Sequence, residues 1–146
     1  MNDAAVITLR AAAATDAERL ASLLTDEGYP AGTSDLAARI ERFSTPNSRV
    51  TVAVAGGEVI GVIAYHLVPR FEHSDTFVRI VVIVVDAGVR ERGIGRLLIA
   101  DAERVARETG AAFVEITAGH HRPEARQLYE SLGYDAGVTS YLRKRT

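Results

Sequence analysis

The sequence predicts a mixed α/β domain with a β-α-β unit in its second half, and three stretches carry that expectation. The run "TFVRIVVIVV" over 76–85 is rich in β-branched residues and barely alternates, as a central strand covered on both faces does. In "RERGIGRLLIADAERVARETG", which follows, Ile94, Leu98, Ala102, Val105 and Ala106 fall at helical spacing, and Gly110 ends the pattern. "AAFVEITAG" then returns to strand composition.

The remaining elements follow in chain order. "AVITLR" alternates well enough for a first strand over 6–10. "TDAERLASLLTDEG" offers Thr15 or Asp16 as a cap and a stripe of Ala17, Leu20, Ala21 and Leu24. Gly28, Pro30 and Gly32 interrupt the chain. "SDLAARIERF" predicts a second helix, capped by Ser34, with Leu36, Ile40 and Phe43 on one face. "RVTVAVAGGEVIGVIAYHL" predicts two strands around a hairpin at Gly56 and Gly57, because the tight turns that match strand twist need positive φ there. "VPRFEHSD" is a loop before the central strand. "PEARQLYESLGY" predicts a short helix, with Pro123 in its first turn and Gly133 past its end. "VTSYLRK" predicts a last strand. The order is β-α-α-β-β-β-α-β-α-β, read as one domain over 1–146.

Composition narrows the classes of function. A formal charge of −2 gives no global reason to expect nucleic acid or an anionic membrane as partner. The absence of cysteine excludes disulfides, thiolate metal sites and a cysteine nucleophile. No apolar run approaches the ~20 residues of a membrane helix, and the first residues lack the basic-then-apolar pattern of a secretory signal. A cytoplasmic protein is expected.

The chemistry concentrates at the turn between the central strand and the long helix. Arg90, Arg92 and Arg96 surround Gly93 and Gly95. A helix entered through a glycine turn presents unpaired N–H groups and the positive end of its dipole. Glycine lets the backbone approach an anion closely, and arginine forks suit phosphate oxygens. Adjacent phosphates fit such a turn better than one carboxylate does. The G-x-x-x-x-G-K-[ST] phosphate loop is absent, and Leu98 stands where a dinucleotide fingerprint needs a third small residue.

The pattern that fits is R-x-x-G-x-G, written here as Arg90-Glu91-Arg92-Gly93-Ile94-Gly95, with Ile83, Val85 and Val89 at the apolar positions before it. The chain here resembles the GCN5-related N-acetyltransferases, although Ala87 stands where proline is common. "RPEARQLYESLGY" is similar to that family's N-x-x-A-x-x-x-Y-E-x-x-G-F/Y segment through Ala125, Tyr129, Glu130, Gly133 and Tyr134, with Arg122 in place of the asparagine. The opening strand and helix are similar too. "HRPEA…YESLGY" and the histidine-bearing loop loosely resemble aminoalkylphosphonate N-acetyltransferases.

The resemblance implies a mostly antiparallel, twisted, mixed sheet of six to seven strands with about four helices, splayed between the fourth and fifth strands. It implies acetyl-CoA as co-substrate and direct transfer of acetyl to a primary amine of a small molecule. Ile83, Val84, Val85, Arg90, Glu91, Arg92, Gly93, Ile94, Gly95, Arg96, Arg122 and Tyr129 would hold the cofactor. The pantetheine arm would lie between 82–85 and the strand of 113–117, with the pyrophosphate on the turn amides. The Val85 N–H would donate to the thioester oxygen, and Tyr129 would protonate the departing thiolate, a phenol of pKa about 10 being protonated at neutral pH. Tyr129 also shares a helical face with Ala125, Leu128 and Leu132, the pattern of a core residue.

An alkylammonium acceptor must lose a proton, at a cost of about 4–5 kcal/mol at neutral pH. The strand positions where a carboxylate would serve hold Val81 and Val82. His66, Glu72, His73, Asp75, Glu115 and His120 are the candidate bases, and the sequence does not choose among them. Their spacing matches no metal motif, so no metal is expected. Arg79, odd in an apolar strand, either meets an acidic group on the substrate or lies near an exposed strand end. The alternative class is a non-catalytic acyl-CoA-binding module. A homodimer is common in the family, and no nucleic acid or membrane partner is expected.

Overall fold

The computed structural model describes residues 6–90, 92–117, 123–136 and 142–146. Five strands and four helices follow one another as β1 (Ile7–Ala11), α1 (Ala17–Asp26), α2 (Thr33–Arg42), β2 (Ser48–Ala55), β3 (Glu58–Pro69), β4 (Thr76–Val85), α3 (Ile94–Thr109), β5 (Val114–Ile116) and α4 (Pro123–Ser131). The strands lie in the order β1-β2-β3-β4-β5 in a single sheet. The first three pairings are antiparallel and β4 with β5 is parallel. The sheet is thus mixed and mostly antiparallel, with five strands among the described residues rather than six to seven. The expected last strand falls largely on residues 137–141, outside the described residues, and Leu142 to Lys144 carry no strand.

Local chemistry sets the boundaries. Gly56 and Gly57 have φ of 59° and 78°, the left-handed values that a two-residue hairpin turn demands. The α2 cap is Gly32, not Ser34: the carboxylate of Asp35 accepts from the Gly32 N–H at 2.9 Å, and the helix starts two residues earlier. Asp16 likewise works backward, accepting from the Ala13 N–H at 2.7 Å and from Arg10 at 2.8 and 2.9 Å, which ties β1 to the start of α1.

Two apolar layers sandwich the sheet. On one face α3 sets Ile94, Leu98, Ala102, Val105 and Ala106 against Ala53, Ile60, Ile63, Tyr65, Val78 and Ile80. On the other, α1 and α2 bring Leu20, Leu23, Leu24 and Leu36 against Val52, Val59, Val62 and Val84. Beneath α3, Asp101 accepts from Thr51 Oγ1 at 3.0 Å, Tyr65 Oη at 2.8 Å and Arg104 at 2.8 Å. Burial and the Asp101 carboxylate push the Tyr65 phenol far above its usual range.

Two features place the start of α3 at the end of β4. At Gly61 a Cβ would stand 3.1 Å from Ile94 Cγ2 and 3.2 Å from Leu98 Cδ1, so only hydrogen lets the helix lie this close to the sheet. Asp86 ends β4: its N–H donates to the Ile60 carbonyl at 2.9 Å, and its carboxylate accepts from the Gly88 N–H at 2.8 Å and from Arg19 of α1. The Gly88 amide, then the Arg19 guanidinium, holds the Asp86 carboxyl below its ordinary range.

Candidate active site

A β-bulge in β4 organises the site. Val82 pairs with Ala64 and Ile80 with Tyr65, which leaves Val81 as an extra residue. Side chains alternate along a strand, so one inserted residue reverses the phase. Before it, Val78 and Ile80 pack toward α3; beyond it, Ile83 and Val85 do so, while Val82 and Val84 join the α1–α2 layer.

The backbone changes phase with the side chains. Before the bulge, Val78 donates to the Phe113 carbonyl at 3.0 Å and Ile80 accepts from the Thr117 N–H at 2.8 Å, both toward β5. After it, the Asp86 N–H points to β3. Alternation then turns the N–H groups of Ile83 and Val85 away from β3, to the side where β5 lay. The β4–β5 ladder covers Val78 to Ile80 opposite Val114 to Ile116. Among the described residues, nothing pairs with that edge of β4 beyond Ile80.

A cavity of about 560 Å³ opens along this edge. Ile83 and Val85 form one wall, Arg90, Gly93, Ile94, Gly95 and Arg96 the end at the turn, and Ala125, Leu128 and Tyr129 of α4 the opposite wall. Gly93, at φ 79°, caps α3, and its carbonyl takes the first helix bond from Leu97 at 3.1 Å. The N–H groups of Ile94, Gly95 and Arg96 therefore have no acceptor within the helix. At Gly95 a Cβ would stand 3.0 Å from Leu128 Cδ2, so this glycine lets α4 approach α3.

Most of the expected site residues meet at this cavity. Tyr129 is buried at 6% exposure, so its core-like spacing and its place on the cavity wall hold together. Arg92 is exposed beside the turn. Val84 is not brought to the cavity: its side chain is buried against α1 and its backbone faces β3. Glu91, Arg122 and His120 lie outside the described residues.

The candidate bases lie elsewhere. His66 is bonded through Nδ1 to Ser48 Oγ at 2.9 Å and stacked on Phe43, with ring centroids 4.8 Å apart. Burial, then the charge of Arg79, lowers its pKa. Asp75 is held by Arg70 through two bonds of 2.7 Å, Glu115 by Arg79 at 2.6 Å, and Glu72 and His73 are exposed in the β3–β4 loop. None of these five lines the cavity. Glu27 does, at the end of α1: its side chain is 11% exposed and lies 3.7 Å from Arg90. Its sequence context, a charged residue before Gly28, reads as an exposed helix end. Only the packing of α1 over β4 reveals it.

A second cavity, about 580 Å³, lies where β1 leaves the edge of β2. Its polar lining includes Tyr65, Thr51 and Arg104, each already donating to Asp101. It holds none of the expected site residues.

An open strand edge at a bulge, beside a glycine-entered helix, suits an extended ligand that carries phosphate at one end. Residues 16–134 match the model of the acetyltransferase (GNAT) family, and the chain belongs to that family. It is 34% identical over 89 residues to the aminoalkylphosphonate N-acetyltransferase of Salmonella typhimurium, a match covering 61% of this chain and 58% of that enzyme. It is 33% identical over 112 residues to YhfO, an uncharacterised N-acetyltransferase of Bacillus subtilis, covering 73% of this chain and 70% of the relative. The aminoglycoside N-acetyltransferase AAC(6')-Iy, solved in complex with CoA, superposes with a TM-score of 0.81 at 20% identity, over 100% of this chain and 99% of that one. At that identity the likeness speaks for the fold alone.

Proposed function

We propose that this cavity binds acetyl-CoA and passes its acetyl group directly to the primary amine of a small molecule, in a ternary complex. The observation that carries the proposal is the meeting of three groups on one cavity: the outward N–H groups of Ile83 and Val85, the first turn of α3, and Tyr129. The pyrophosphate suits the turn, where unpaired amides and the side chains of Arg90 and Arg96 converge. The arm then lies in the open edge of β4, where the expected splay of β4 from β5 leaves room.

The two strand donors divide the arm between them. Alternate residues of a strand are about 6.7 Å apart. Val85 is nearer the turn, and so nearer the phosphates, while the thioester is the far end of the arm. Ile83 is therefore the better donor to the thioester oxygen and Val85 the better donor to the arm. This refines the sequence-based expectation, which gave the oxygen to Val85. A fixed N–H at that oxygen stabilises the negative charge that develops there during attack. The Tyr129 hydroxyl supplies the proton that the leaving thiolate needs.

The acceptor enters as an ammonium ion and must lose a proton before it attacks. We assign its reception to Glu27, the mostly buried carboxylate on the cavity wall. Its charge draws the ammonium in, and it accepts the proton directly or through a water molecule. With no cysteine in the chain, direct attack needs no thiol acyl carrier.

Release of free thiol from acetyl-CoA across a panel of primary amines tests this reading. Turnover on at least one amine is expected, together with thermal stabilisation by acetyl-CoA and CoA and none by NAD or ATP. Stabilisation by CoA without turnover on any amine would leave a binding module instead. Failure of both CoA species to stabilise the protein would remove the cavity's assignment.

A further inference from the structure

On the sheet face that carries α1 and α2, four polar residues stand in one line across four strands. The register sets Ser48 opposite His66, His66 opposite Arg79, and Arg79 opposite Glu115. The neighbours of Arg79 along β4, Val78 and Ile80, are fully buried toward α3, so Arg79 projects from the other face. A guanidinium amid β-branched residues is not what strand packing alone selects.

Its setting is that of a held donor. Arg79 Nε donates to Glu115 Oε2 at 2.6 Å. The guanidinium carbon lies 5.2 Å from the centroid of the Phe77 ring, and that ring stacks on Phe113 with centroids 4.9 Å apart. One edge and one face of the guanidinium are thus fixed. Nη1 and Nη2, the two-pronged end that fits a carboxylate or phosphonate, have no hydrogen-bond partner among the described residues. The side chain stays 36% exposed. It also stands one residue before Ile80, whose carbonyl makes the last recorded bond to β5. The row therefore lies at the base of the gap that opens beside Ile83.

We propose that Arg79 is a specificity-determining residue that binds an anionic group, phosphonate or carboxylate, on the amine acceptor. This rests on the reading of the cavity as an acetyltransferase site and names its acceptor class: amines with an anionic group a few bonds from the nitrogen. Glu115 is a positioning residue, since it touches the guanidinium edge away from the ligand. The imidazole of His66, burial and Arg79 both disfavouring its protonation, leaves Arg79 as the cation in the row.

Three probes of matched length separate the alternatives: 3-aminopropylphosphonate, 4-aminobutyrate and butylamine. Their binding to the CoA-saturated protein is measured by calorimetry for the wild type and for Arg79→Met. The wild type is expected to bind at least one of the two anionic amines about tenfold or more tighter than butylamine, and the tighter of the pair identifies the head group. Arg79→Met should bring that ratio to within about threefold, and Arg79→Lys should keep part of it. A melting profile like the wild type's, with its shift by acetyl-CoA, shows that the variants are folded. Wild type that binds none of the probes, or prefers butylamine, overturns the proposal, as does a ratio that survives Arg79→Met. Thiol release with the same probes keeps the two readings apart. Arg79-dependent binding without turnover removes the transferase reading and leaves the anion site. Turnover without anion preference removes the site and leaves the transferase.

Discussion

Three residues on the cavity wall carry predictions that differ in kind. Gly95→Glu places a carboxylate where the phosphates are proposed to sit and drives its first carbon toward Leu128, 3.0 Å away. Acetyl-CoA affinity should fall by at least two orders of magnitude in a binding titration; unchanged affinity would show that the turn is not the phosphate site. Tyr129→Phe removes a proton donor and little volume, so kcat should fall about 10²- to 10⁴-fold with acetyl-CoA affinity retained. Full activity at every pH would take Tyr129 out of the chemistry. Glu27→Gln keeps the shape and removes the charge, so kcat/KM should drop and recover in part as pH rises and more amine is unprotonated. A variant with the wild-type pH profile would exclude Glu27 as the proton acceptor. Of these, Gly95 and Tyr129 were legible in the sequence, because each sits in a motif of fixed spacing. Glu27 was not, because its place depends on how α1 crosses β4.

At the scale of the element, β4 shows both what a sequence reveals and what it hides. The run of β-branched residues marked the strand over its full length, Thr76–Val85. The bulge inside it was invisible, since "VVIVV" reads alike in either phase and only the partner strand shows which residue is extra. The hairpin was legible because positive φ has few solutions besides glycine. The α2 cap was misplaced by two residues because Asp35 reaches back to the backbone of Gly32, and Gly32 carries no side chain to mark it as a cap. Gly61 brings no side chain to its strand, yet it sets the distance of α3 from the sheet. Gly61→Ala should cost about 1–3 kcal/mol by overpacking, lower the melting temperature by several degrees and weaken acetyl-CoA binding as the start of α3 shifts. An unchanged melting temperature would mean that Ile94 and Leu98 yield freely.

For the molecule as a whole, acid should act in two stages. The His66 imidazole is depressed below 6.5, chiefly by burial, so the unfolded chain takes up that proton first and stability begins to fall as pH drops below about 6.5. The carboxyls of Asp16, held down chiefly by its bonds from Arg10, and of Asp86, held down chiefly by the Gly88 amide, are depressed below 3.8. Their contribution is complete above that value and is lost as pH falls through their lower folded values. Melting curves from pH 7 to pH 3 should show both stages, and His66→Gln should flatten the first. A first stage that survives in that variant would assign it to another group. The order of elements through α4 and the family were legible from the chain. The pairing of Arg79 with Glu115 was not: two positions in different strands meet only once the parallel register of β4 and β5 is fixed.

The extra residue in β4 makes the length of that strand as consequential as its composition. Deleting Val81 would remove one apolar side chain of a kind abundant around it, a loss that hydropathy alone would scarcely notice. Yet Val82 to Val85 would keep their β3 partners and their faces, and what would go is the bulge itself. The outward amides of Ile83 and Val85 would then fall in phase with the ladder that Val78 and Ile80 make to β5, and the gap would lose the irregularity that opens it. Substitutions among valine, isoleucine and leucine should thus be tolerated along this segment far better than any change in its residue count. Homologous strands with the same cavity would then share a length across this point even where no residue is shared.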